Sequence, residues 1–124
     1  MRTLLLVAHG SRREASNDEV RQLTDQLQSY INADEPPLFD KVSCAFLELA
    51  PPSIPDGLEY FISAGTKEII VLPYFLSAGR HVSEDIPAEV DKVRDKYPNV
   101  KIKIADYLGS SSGICHLLLS LAVK

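Results

Sequence analysis

Two short runs, Leu4-Leu5-Leu6-Val7 and Ile69-Ile70-Val71-Leu72, are apolar at every position. Successive side chains of a strand point to opposite faces, so a strand with one wet face alternates and a strand without polar alternates is covered on both sides. Parallel strands clad by helices meet that condition, which puts these two runs in the middle of an α/β sheet. Val100-Lys101-Ile102-Lys103-Ile104 does alternate, the pattern of a strand with one face toward water and most simply an edge. With a further strand at 41–47, the four strands at 3–8, 41–47, 68–73 and 100–105 take the order 2-1-3-4. The expected fold class is therefore α/β: a single doubly wound domain over residues 1–124, with a four-stranded parallel sheet flanked by helices.

The segments between the strands carry helical signals. Ser16-x-x-Glu19 reads as a capping box ahead of a helix whose Val20, Leu23, Leu27 and Ile31 share one face. Ser53 caps a second helix, with Pro55 in its first turn, Leu58, Phe61 and Ile62 as its buried stripe and Gly65 past its end. A third helix starts between Ser83 and Pro87, buries Ile86, Val90 and Val93, and stops at Tyr97-Pro98-Asn99. A short apolar helix over 113–123 closes the chain.

A chain of 124 residues with 45% hydrophobic and 24% charged residues has the size and composition of one soluble domain. No apolar run is long enough to cross a bilayer, and His9-Gly10-Ser11-Arg12-Arg13 interrupts the first apolar stretch too early for a secretory signal. A net charge of -4 excludes a general nucleic-acid binder, which needs a basic face. Cys44 and Cys115 form no Cys-x-x-Cys pair and read as two free, buried thiols of a reducing, cytoplasmic setting.

In a doubly wound sheet of this order, ligands bind beyond the carboxyl ends of the strands where the crossover direction reverses, between strands one and three. His9 follows strand one, and His81 lies in the loop of about ten residues after strand three, so both reach that crevice. Gly10 permits a tight turn whose following amides point outward as anion donors. Glu48, set between apolar neighbours after strand two, offers a carboxylate oxygen to a metal. Arg80 stands apart from the solvated Arg12 and Arg13 by its place beside His81. His116, inside the last apolar helix, reads as a packed or surface residue.

Leu5-Leu6-Val7-Ala8-His9-Gly10-Ser11-Arg12, Phe46-Leu47-Glu48-Leu49-Ala50 with Pro52-Ser53-Ile54, Val71-Leu72-Pro73-Tyr74-Phe75-Leu76, and Gly79-Arg80-His81-Val82 with Asp85-Ile86-Pro87 occur in that order. Together they closely resemble the short-form sirohydrochlorin chelatases of the class II chelatase family, from Thr3 to about Gly109. The resemblance implies insertion of Co²⁺ or Fe²⁺, or in some relatives Ni²⁺, into a sirohydrochlorin-type tetrapyrrole for cobalamin or siroheme. It further implies His9 and His81 as active-site histidines, Glu48 at an acidic position associated with metal binding, and a homodimer that rebuilds a duplicated two-lobed form. One departure is Gly109-Ser110-Ser111-Ser112-Gly113, where relatives often carry His or Pro; His-rich tails are also missing.

On this reading the imidazoles of His9 and His81, with Glu48, hold a borderline divalent ion and take up protons displaced from the macrocycle. The peripheral carboxylates of the substrate meet Gly10, Ser11, Ser77, Ala78, Gly79 and Arg80. No nucleotide cofactor is expected, since neither Gly-x-Gly-x-x-Gly nor a Walker pattern occurs. The alternative is a non-catalytic metal- or tetrapyrrole-binding carrier using the same residues. A histidine phosphatase is excluded because Ala8 stands where an arginine must precede the histidine.

Overall fold

The computed structural model describes residues 2–124. Strands β1 (Arg2–Ala8), β2 (Lys41–Phe46), β3 (Glu68–Pro73) and β4 (Lys101–Ile104) form one parallel sheet in the order β2-β1-β3-β4, the order expected from the apolar runs. Val7 pairs with both Ala45 and Pro73, so the first three strands end level and their following loops emerge side by side.

The period of two along β1 divides the core between the two faces of the sheet. Leu5 and Val7 join Ala45, Ile69, Val71 and Ile102 in a cluster with Ile54, Leu58 and Phe61 of α2 (Ile54–Ser63) and Ile86, Val90 and Val93 of α3 (Ile86–Arg94). Leu6, Ala8, Cys44 and Phe46 pack on the opposite side against Val20, Leu23 and Leu27 of α1 (Glu14–Asn32), whose Ile31 packs with Leu4 and Val42. Each fully buried side chain of these clusters contributes about 1.5–3 kcal/mol relative to an exposed one.

Helix α2 starts as its sequence dictates: the Ser53 hydroxyl accepts from the Asp56 amide at 3.2 Å, with Pro55 in the first turn. Helix α1 does not. It begins at Glu14, three positions before the buried Asn17, so the expected box of Ser16 and Glu19 lies inside the helix. Arg13 holds the cap position without a side-chain bond. The Asn17 side-chain amide instead accepts from the Ser11 amide (2.9 Å) and donates to the Ser11 carbonyl (2.8 Å), tying the preceding turn to the helix. A buried carboxamide satisfied at both ends fixes this entry in place of a cap.

The helical path after β3 also begins earlier than expected. A π-helical turn, His81–Asp85, runs directly into α3, so the connection from β3 is shortened to residues 74–80 and His81 stands on a helical turn rather than in the loop.

One face of the sheet is less covered than the apolar run of β3 predicts. Ile69 and Val71 are fully buried, whereas Ile70 and Leu72 are only partly so. Helix α1 lies against β1 and β2, and α4 (Gly113–Ala122) buries none of its residues. Leu117, Leu118, Leu119, Leu121 and Val123 are all exposed. Cys115 shares this exposure, so only Cys44 of the two free thiols is buried as expected.

Candidate functional site

The site grows from backbone bonds at the level ends of β1, β2 and β3. The Leu47 amide donates to Ala8 (2.9 Å) and the Glu48 amide to His9 (3.0 Å), extending the ladder past the strands and clipping the two loops together. This clip requires Gly10. Its φ is +96°, and a Cβ there would lie 1.7 Å from the Glu48 carbonyl oxygen. With no side chain in the way, Glu48 Oε1 comes to 3.7 Å from His9 Nε2. On the other side the Tyr74 amide donates to Val7 (2.7 Å), which draws the loop after β3 toward the same edge.

His9 and His81 meet there with ring centroids 4.7 Å apart and planes inclined at 60°. Phe75 stands beside His81 at 6.5 Å between centroids. The two rings are oriented by separate acceptors. His9 Nδ1 lies 2.9 Å from the Gly10 carbonyl, and His81 Nδ1 lies 2.8 Å from Asp85 Oδ2. A carbonyl or carboxylate oxygen accepts only, so each neutral ring carries its proton on Nδ1 and leaves the Nε2 lone pair open. The side chains of His9, Glu48 and His81 are 40%, 53% and 46% exposed, which makes the site an open shelf. Among the described residues, no three His, Cys, Asp or Glu side chains form a ready-made metal cluster.

Of the residues expected to meet an anionic ligand, Ser77, Ala78, Gly79 and Arg80 form an exposed stretch leading to His81. Arg80 Nε is 3.4 Å from Glu84 Oε2 in a largely solvated pair. The outward anion donor expected after Gly10 is corrected: the Ser11 amide is already bonded to Asn17, and the Ser11 hydroxyl accepts from the Arg13 amide at 3.0 Å. His116 lies exposed on α4.

Sequence reasoning missed four neighbours of this cluster. Asp85 escaped notice because His81 was expected in a loop, where a spacing of four carries no meaning. Leu49 and Leu76 are apolar yet 52% and 70% exposed, and Leu49 holds a φ of +69° that is unfavourable for a side chain of its kind. With Phe75 they give the loops after β2 and β3 an apolar fringe. Their signal was an apolar residue two or three positions past the end of β2 or β3, which reads equally well as core.

The CbiX family profile matches residues 3–123. The chain belongs to the CbiX family. This CbiX chain is 33% identical over 115 residues to the sirohydrochlorin cobaltochelatase of Sulfurisphaera tokodaii, with 93% of this chain and 86% of that protein covered. It is also 33% identical over 119 residues to the sirohydrochlorin ferrochelatase of Priestia megaterium, with 96% of this chain covered. The chain spans only 42% of that relative's length. The solved structure of SirB from Bacillus subtilis with Fe³⁺ superposes with a TM-score of 0.84 at 27% identity, over 96% of this chain and 45% of that one.

Proposed function

We propose that this CbiX chain, acting as one domain, catalyses insertion of Co²⁺ or Fe²⁺ into sirohydrochlorin, in the cytoplasm, on the way to cobalamin or siroheme. The observation that carries the reading is the pair of imidazoles, His9 directly after β1 and His81 on the π-helical turn before α3, 4.7 Å apart between centroids, with a carboxylate beside His9. The names of the two chelatase relatives supply the substrate class.

In this reading His9 and His81 are the catalytic pair, and with Glu48 they hold the incoming ion. Neutral imidazole nitrogen and carboxylate oxygen suit borderline ions of this kind, Ni²⁺ included. As the ion enters the ring, two pyrrole N–H bonds break and two metal–nitrogen bonds form. The displaced protons leave through the histidine nitrogens that give up the ion and through the solvated Glu48 carboxylate. Leu49, Phe75 and Leu76 offer apolar surface to the flat faces of the macrocycle. Ser77, Ala78, Gly79 and Arg80 meet its carboxylates, while Gly10 and Ser11 shape the turn that carries His9.

An open shelf covers one side of a disc-shaped substrate, and a homodimer supplies the other. One feature favours it. Helix α4 exposes Leu117, Leu118, Leu119 and Leu121, and exposed apolar surface of this kind marks interaction surfaces in soluble proteins.

The test follows the visible spectrum of sirohydrochlorin mixed with Co²⁺ or Fe²⁺ and a substoichiometric amount of the protein. Many turnovers per chain are expected. Product limited to the amount of protein identifies a carrier, and a rate equal to the protein-free background overturns the proposal.

A further inference from the structure

We infer that Asp85 is a positioning residue for metal handling, which holds His81 so that Nε2, and not Nδ1, faces the incoming ion; this rests on the proposed role of His81. The π-helical turn is the device that makes the contact. Its closing bond runs from the Ile86 amide to the His81 carbonyl, and Ile86 is fully buried, so the His81 backbone is tethered to the core. The same turn brings Asp85 Oδ2 to 2.8 Å from His81 Nδ1. Single π turns are rare and are found frequently at functional sites.

Asp85 has no competing duty. Its neighbour Glu84 faces Arg80, whereas among the described residues His81 is the one charged or titratable partner of Asp85. His9 reaches the same tautomer by a different route, through the Gly10 carbonyl. Two unrelated acceptors thus face the same nitrogen, Nδ1, on both rings. A carboxylate behind a metal-binding imidazole fixes its tautomer and raises its donor strength, and its loss weakens metal affinity by about 10–100-fold.

The test compares the full-length protein with Asp85→Ala and Asp85→Asn by two measurements that need no turnover. Long-range ¹H–¹⁵N spectra read the His81 tautomer, and titration with Co²⁺ alone reads affinity. The wild type is expected to carry the proton on Nδ1. Asp85→Ala is expected to lose that preference and to bind Co²⁺ about 10–100-fold more weakly, with the melting temperature and the tetrapyrrole KM little changed. Asp85→Asn keeps an acceptor oxygen and restores most of both. An unaltered tautomer or unaltered Co²⁺ affinity in Asp85→Ala overturns the inference. A protein that passes both measurements but gives no insertion leaves Asp85 in its role and removes only the chelatase reading.

Discussion

His9 Nε2 lies 3.7 Å from Glu48 Oε1 although the two residues leave different strands, and the contact exists because Gly10 has no side chain. The backbone of β2 can then continue alongside that of β1 for two further residues. The geometry of the site is in this sense written in the main chain, with the functional side chains carried on it.

Gly10→Ala places a methyl group inside the Glu48 carbonyl and on a φ of +96°. The loop after β2 must move away, carrying Glu48 from His9. Metal insertion is expected to fall at least tenfold and stability by about 1–3 kcal/mol, the usual cost of forcing strain or overpacking at such a point. Parallel insertion assays and denaturant melts read the two effects, and near-normal values in both contradict the clip.

Arg80 is 81% exposed, so its pull on an anionic substrate is screened by water. Arg80→Ala is expected to raise KM for the tetrapyrrole by about two- to fivefold, in keeping with roughly 0.2–1 kcal/mol for an exposed charge pair, and to leave kcat nearly unchanged. The wild-type KM should rise with added salt toward that of the variant. A drop in kcat with constant KM assigns Arg80 a different part.

Helix α4 exposes Leu118 and Leu121 on one apolar surface. Introducing charge there, as Leu118→Glu with Leu121→Glu, is expected to turn a dimer into a monomer in sedimentation velocity while the fold of the sheet is kept. Insertion activity should fall with the dimer. A wild-type chain that sediments as a monomer at micromolar concentration contradicts the proposed assembly.

The sheet was legible because its signal is local and redundant: four consecutive apolar residues mark β1 and β3 as the central strands, although one face of β3 is only partly covered, and the alternating lysines of β4 mark an edge. The position of His9 followed from that topology, since it directly follows β1 at the edge where ligands bind; His81, eight residues beyond Pro73, was placed only as part of the connection leaving the same end of the sheet. The start of α1 was not legible. Ser16 and Glu19 have the spacing of a capping box, but the buried Asn17 and its bonds to Ser11 win, and nothing in the sequence declares which polar residue will be enclosed. His81 was misplaced in a loop because the π turn depends on the anchoring of Ile86 in the core, a tertiary effect that overrides local pattern. The exposure of α4 was hidden for a related reason, since an apolar helix looks the same in sequence whether its partner lies in its own chain or in another.

The central claim is that two imidazoles, one directly after β1 and one on the π-helical turn before α3, act on one metal ion as a unit. A double-mutant cycle on insertion kinetics, comparing His9→Ala, His81→Ala and the double variant, tests it most directly. If the rings share the ion, each single change removes most of the rate and the double variant is hardly slower than either, as for other residues that work together. Losses in the double variant that equal the product of the two single losses place the rings in independent roles and contradict the account.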